Sequence, residues 1–196
     1  MAVDQNLNQE LAWAKAVKAY KQNNKALAVK LFLELADSGN YAAYKEIGNI
    51  YEYGGGGIAK DLVKARYWYE LATGEYDPEG FLSLAKFYYF GLDVPVDYEK
   101  AHDLYYQISK TNNPVAYFVL GKMHHLGQGV ERDIDKAIGY YNKSAKCGNV
   151  YAKRNLAIIQ YKEQGKVIGL FKIFINSVAA YFINKKNAND ERLRSY

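Results

Sequence analysis

Two neighbouring histidines, His124 and His125, are the first residues in this chain whose chemistry invites a catalytic or metal-binding reading. A helix grips a metal with residues spaced i, i+4, and adjacent residues diverge by about 100° around the axis, so this pair makes no two-point ligand. His102 has no Cys at ligand spacing. The one cysteine, Cys147, has no disulfide partner and no placed base; beside Gly148 it reads as a small packed thiol. Gly54-Gly55-Gly56-Gly57 suggests a phosphate cradle, but a P-loop needs Gly-Lys-Ser/Thr next, and Ile58-Ala59-Lys60-Asp61 follows. Glu46, Glu52 and Glu70 are scattered at helix-surface spacing and imply no acid–base pair. Lys and Arg are spread rather than clustered, and the tyrosines occupy packing positions, so no nucleic-acid track is expected. The chain therefore reads as a non-enzyme without cofactor or metal.

What positions these residues is a repeated unit, cleanest over Ala116–Asn149. Ala116, Leu120, Gly121 and His124 recur at i, i+4, i+5 and i+8, the face of one helix. Gly127 and Gly129 stop that helix, since glycine takes positive φ without strain. Asp133 is placed to cap a second helix. Ala137, Tyr140, Tyr141, Ser144 and Ala145 form its packed face, and Gly148-Asn149 ends it.

The small residue of the second helix returns roughly every 36 residues, at Ala28, Ala65, Ala101 and Ala137. Leu31-Phe32, Trp68-Tyr69, Leu104-Tyr105 and Tyr140-Tyr141 follow it, and the caps Asn24, Asp61, Asp97 and Asp133 precede it. Ile47-Gly48, Leu84-Ala85, Leu120-Gly121 and Leu156-Ala157 correspond in the first helix. A period of this size predicts an all-α chain, a right-handed α/α solenoid of about four two-helix repeats, because no single hairpin buries its own apolar face. The pattern resembles the Sel-one-like repeat family, a relative of the tetratricopeptide repeats; Lys64–Tyr69 and Gly127–Asp133 carry the likeness best. Asp93, Tyr76 and Asn112 stand where the family places glycine, and Asp enters the left-handed region more readily than most residues.

The expected organisation is a solenoid over residues 1–164, with a degenerate repeat at 11–40, repeats at 41–76, 77–113 and 114–149, and a partial one at 150–164. Residues 1–10 are polar and read as a frayed lead-in. Residues 165–184 form an apolar capping or docking helix, and 185–196 a charged tail. Val167–Ile183 barely reaches the length of a membrane span, and Lys172 and Asn176 near its middle oppose crossing.

With a net charge of +5 and no internal disulfide, the expected compartment is the cytoplasm, or the periplasm if a leader has been removed. In two-helix solenoids the first helices line the concave side. Its non-packing positions here are Lys45, Asn49, Glu52, Lys86, Tyr89, Lys122, His125, Arg154 and Tyr161, and this mixture of tyrosine, amide and charge suits a polypeptide partner. Phe171, Phe174, Ile175 and Phe182 are candidate docking residues for a protein, a second copy of the chain, or a membrane surface. The resemblance implies a bacterial scaffold or adaptor, with assembly factors and toxin-immunity partners among the family's roles; the alternative is a membrane-associated assembly factor anchored by residues 167–183.

Overall fold

A computed structural model describes residues 2–164, 173–179 and 181, and every named element in it is an α-helix. The chain divides into two compact units, Met1–Leu104 and Tyr105–Tyr196. The first holds α1 (Ala2–Lys21), α2 (Lys25–Asp37), α3 (Ala43–Tyr53), α4 (Leu62–Gly74) and α5 (Pro78–Phe90); α6 (Tyr98–Ser109) carries the boundary. The second holds α7 (Pro114–Leu126), α8 (Ile134–Lys146) and α9 (Val150–Gln164), with residues 173–179 also helical.

The helix starts follow from local chemistry. Asn24 accepts a hydrogen bond from Leu27 N at 3.1 Å. Asp61, Asp97 and Asp133 accept from Lys64 N, Lys100 N and Lys136 N, each at 2.9 Å, so all four expected caps are formed. Pro78 and Pro114 occupy first-turn positions, where a missing N–H is harmless. Between helices the backbone turns through positive φ: Tyr76, Asp93 and Asn112 lie at +58°, +66° and +57°, as glycine would. The four glycines after α3 all have positive φ, and a Cβ on Gly56 would strike the carbonyl of Asn23.

Two local expectations are corrected. α1 starts at Ala2, so the polar lead-in is helix; it holds neither Gly nor Pro, and once a helix is nucleated each further residue costs little. Gln9 Nε2 also donates to Ser38 O at 3.3 Å. Cys147 is exposed, because it is the C-cap of α8 and lies beyond the buried stripe. The inward residue of that turn is Ser144, fully buried, whose hydroxyl donates to Pro114 O at 2.7 Å.

The core of each unit is built from the repeat. Ala28, Ala65, Ala101 and Ala137 are fully buried, and so, within a few per cent, are Phe32, Tyr69, Tyr105 and Tyr141 four residues on. A Cβ on Gly48 would stand 2.6 Å from the Tyr69 ring, and one on Gly121 would stand 2.7 Å from the Tyr141 ring. The first-helix glycine is thus the seat of a buried tyrosine from the second helix.

Candidate functional site

In the first unit the first-helix face is closed by its own charges. Glu52 of α3 is 6% exposed and accepts from Lys86 Nζ of α5 at 2.6 Å. The Tyr69 hydroxyl lies 2.8 Å from both Glu52 Oε2 and Asn49 Oδ1. It has one hydrogen, and the carboxylate is the stronger acceptor. Lys86 Nζ also reaches the Tyr53 hydroxyl at 3.3 Å. Burial draws the Lys86 pKa down, but the hydrogen bond and charge of Glu52 outweigh it and the net shift is upward. Burial, then the Glu52 charge, keeps the Tyr69 phenol protonated far above its ordinary range. Lys45 pairs with Glu46 and Glu79, which overcome its burial and raise its pKa too. Tyr89 is 6% exposed, its ring edge-on to Phe90 and Tyr98 at 4.9 and 5.3 Å.

In the second unit the corresponding face is an open groove of about 330 Å³ between α7 and α9. Phe118, Lys122, His125 and Leu126 line it from α7; Tyr151, Arg154 and Asn155 line it from α9; Tyr141 of α8 forms part of the floor. Phe118 lies 5.9 Å from Tyr141 and 6.2 Å from Tyr151, centroid to centroid, and His125 stands edge-on to Tyr141 at 6.3 Å. Arg132 Nε donates to His125 O at 3.2 Å. Leu126 is 53% exposed, an apolar lip to the groove.

Lys122, His125 and Arg154 from the sequence reading therefore come together, while Lys45, Asn49, Glu52 and Lys86 meet one another or other residues of the first unit. Tyr161 is exposed on α9, outside the groove lining. The sequence reading omitted Phe118, Leu126, Tyr141, Tyr151 and Asn155. The signal was there: Phe118, Lys122, His125 and Leu126 fall at i, i+4, i+7 and i+8, one stripe of a helix. Of the C-terminal docking residues, Phe174 and Ile175 are exposed in the helical segment, while Phe171 and Phe182 lie outside the described residues.

His124 is buried and stacks on Tyr140 at 5.5 Å, taking the packing place of Tyr51 and Tyr88 in earlier repeats. Among the described residues no three His, Cys, Asp or Glu side chains gather as a metal site, and no helix is long and apolar enough to cross a membrane.

The Sel1 repeat profile matches residues 18–40, 42–73, 82–110 and 114–149. No curated protein sequence matches the chain. Among solved structures, a protective antigen of uropathogenic Escherichia coli displaying an SLR fold aligns with a TM-score of 0.77 and 22% identity, over 88% of this chain and 38% of that one. A Sel1 repeat protein from Oxalobacter formigenes aligns with a TM-score of 0.68 and 24% identity, over 78% and 63%. An immunity protein from Pseudomonas aeruginosa aligns with a TM-score of 0.52 and 19% identity, over 79% and 59%. The chain thus spans less than two thirds of each of these proteins, and the likeness carries the fold. With four profile matches covering most of the sequence and helical hairpins at each of them, the chain belongs to the Sel1 repeat family.

Proposed function

We propose that this chain is a non-enzymatic protein-interaction scaffold that holds a polypeptide partner on the first-helix face, chiefly in the groove between α7 and α9. Sel1 repeat proteins in general act as protein-interaction scaffolds, which supports the class. The observation that carries the reading is the groove lining: Phe118, Tyr141 and Tyr151 beside Lys122, His125 and Arg154. Aromatic rings give contact area at small entropy cost, and flanking cations and an amide orient a chain. In this reading Lys45, Asn49, Glu52, Lys86 and Tyr89 shape the first unit's surface, and their pairing or packing within that unit leaves them a lesser role in contact. An immunity role, as in the Pseudomonas aeruginosa neighbour, makes a toxin polypeptide one partner to test.

A second contact is favoured by the exposure of Phe174, Ile175 and Tyr181, at 66%, 50% and 61%. A protein surface covering them fits better than a bilayer crossing, given Lys172 and Asn176 in that segment. The test is photo-crosslinking in cells, with a photoreactive residue at position 151 in the groove, at 174 in the C-terminal segment, and at 67 on exposed α4. Adducts to one polypeptide from 151 and not from 67 are expected. Equal labelling from all three positions, or none from 151, overturns the groove as the binding face.

A further inference from the structure

Resting on the groove as a polypeptide site, we propose that it selects an acidic segment, one or two carboxylates set beside an apolar side chain. Among the described residues the lining carries two fixed cations, Lys122 and Arg154, together with His125, and no Asp or Glu. Arg154 is exposed and, among the described residues, has no ion-pair partner, so its planar fork is available to take a carboxylate by two hydrogen bonds. The same lining holds Phe118, Tyr141 and Tyr151 with Leu126 at the lip, a slot for an aliphatic or aromatic side chain. The repeat itself supplies a control. In the first unit the position of His125 holds Glu52, and that acid is bound to Lys86 of the following repeat. In the groove that position is His125, and in the proposal the partner supplies an acid to Arg154.

Cations beside aromatics also suit single-stranded nucleic acid. Two fixed charges in a groove with an apolar lip make a short phosphate track, so an acidic polypeptide is the better fit.

The experiment selects phage-displayed random peptides of roughly twelve residues, long enough when extended to cross the groove, against the full chain. Selection is repeated against Arg154→Glu and Lys122→Glu, with helix content by circular dichroism as the folding control. Enrichment of Asp or Glu next to Leu, Phe or Tyr is expected on the native chain. A selected peptide, remade with Gln for Glu, should bind about tenfold weaker or worse, and Arg154→Glu should weaken the acidic peptide by a similar factor. Raising salt from about 0.1 M to 0.5 M should weaken it further. Peptides without acidic enrichment that still compete at Tyr151 overturn the acidic preference and leave the polypeptide groove standing. Equal binding of the Gln peptide, or an Arg154→Glu chain with unchanged affinity, does the same. If no peptide is selected, or if a single-stranded oligonucleotide binds the groove more tightly than the best acidic peptide, both the preference and the groove reading fall.

Discussion

Glu52 in α3 and His125 in α7 occupy the same place in the repeat, as do Lys86 in α5 and Ile158 in α9. In the first unit this gives a carboxylate and an ammonium on successive first helices, 2.6 Å apart and mostly hidden from water. In the second unit the same two places hold an imidazole and an aliphatic chain, and the face stays open over an aromatic floor. Beneath both, the skeleton is the same: a capping aspartate, a fully buried alanine, and a buried tyrosine seated on a glycine. Two differences within a shared frame thus separate a face closed by an ion pair from one that keeps a groove. Interior packing fixes the hairpin, so outward positions can differ between repeats without changing it.

Removing one partner from the closed face should have the largest effect. Lys86→Ala leaves Glu52 nearly buried without its ammonium partner, and should lower stability by about 2–3 kcal/mol, less than a fully buried pair would cost because the ammonium reaches water. Arg154→Ala in the open groove should change stability by about 0.5 kcal/mol or less. Urea unfolding measures both; equal small losses would mean that the Glu52–Lys86 pair is ornamental. Next come Gly48→Ala and Gly121→Ala. Each pushes a Cβ into a buried tyrosine ring, at about 1–3 kcal/mol, offset by about 1 kcal/mol of improved helix propensity. Gly48→Ala should cost more, since Tyr69 must also keep its hydrogen bond to Glu52. Indistinguishable melts would show that the Tyr69 bond adds nothing.

Titration separates the units more gently. Lys86, Lys45 and Tyr69 have pKa values raised in the folded first unit, so their contribution is full below the unfolded range and declines above about pH 10. Thermal melts at about pH 8 and pH 10.5 should show a larger loss for the native chain than for a Glu52→Gln, Lys86→Met double variant; parallel losses would place the alkaline sensitivity elsewhere. At the acid end the units should behave alike. The Lys64 and Lys136 backbone N–H groups hold Asp61 and Asp133 below the usual carboxylate range. Their cap contribution is present above the ordinary Asp pKa and lost as pH falls through the depressed one. Carbon-detected NMR titration of the two carboxyls should give similar curves, and a clear split between them would break the shared skeleton.

Much of the fold was legible because it is local. Asp133 announces a helix start by its distance from Lys136 N, Ala137 and Tyr141 declare a buried face by spacing alone, and the period of about 36 residues recurs whatever the fold does with it. Half of the groove was legible for the same reason, since Phe118, Lys122, His125 and Leu126 share one stripe of one helix. The length of α1 and the outward place of Cys147 were misread where a weak propensity and a single C-cap residue left the outcome to its surroundings.

By itself the sequence determined the repeat: the helical hairpins, their caps, their small residues and the family they belong to, each written within a few residues of the contact it makes. Only the tertiary structure decided which outward residues pair with one another and which line a groove. Glu52 and Lys86 lie 34 residues apart, and Phe118 and Arg154 meet across a groove whose third wall is Tyr141 of another helix. Charge neutralisation and pocket shape act through space at a few ångströms, and the chain order that spells the hairpins does not encode which of those distances become short.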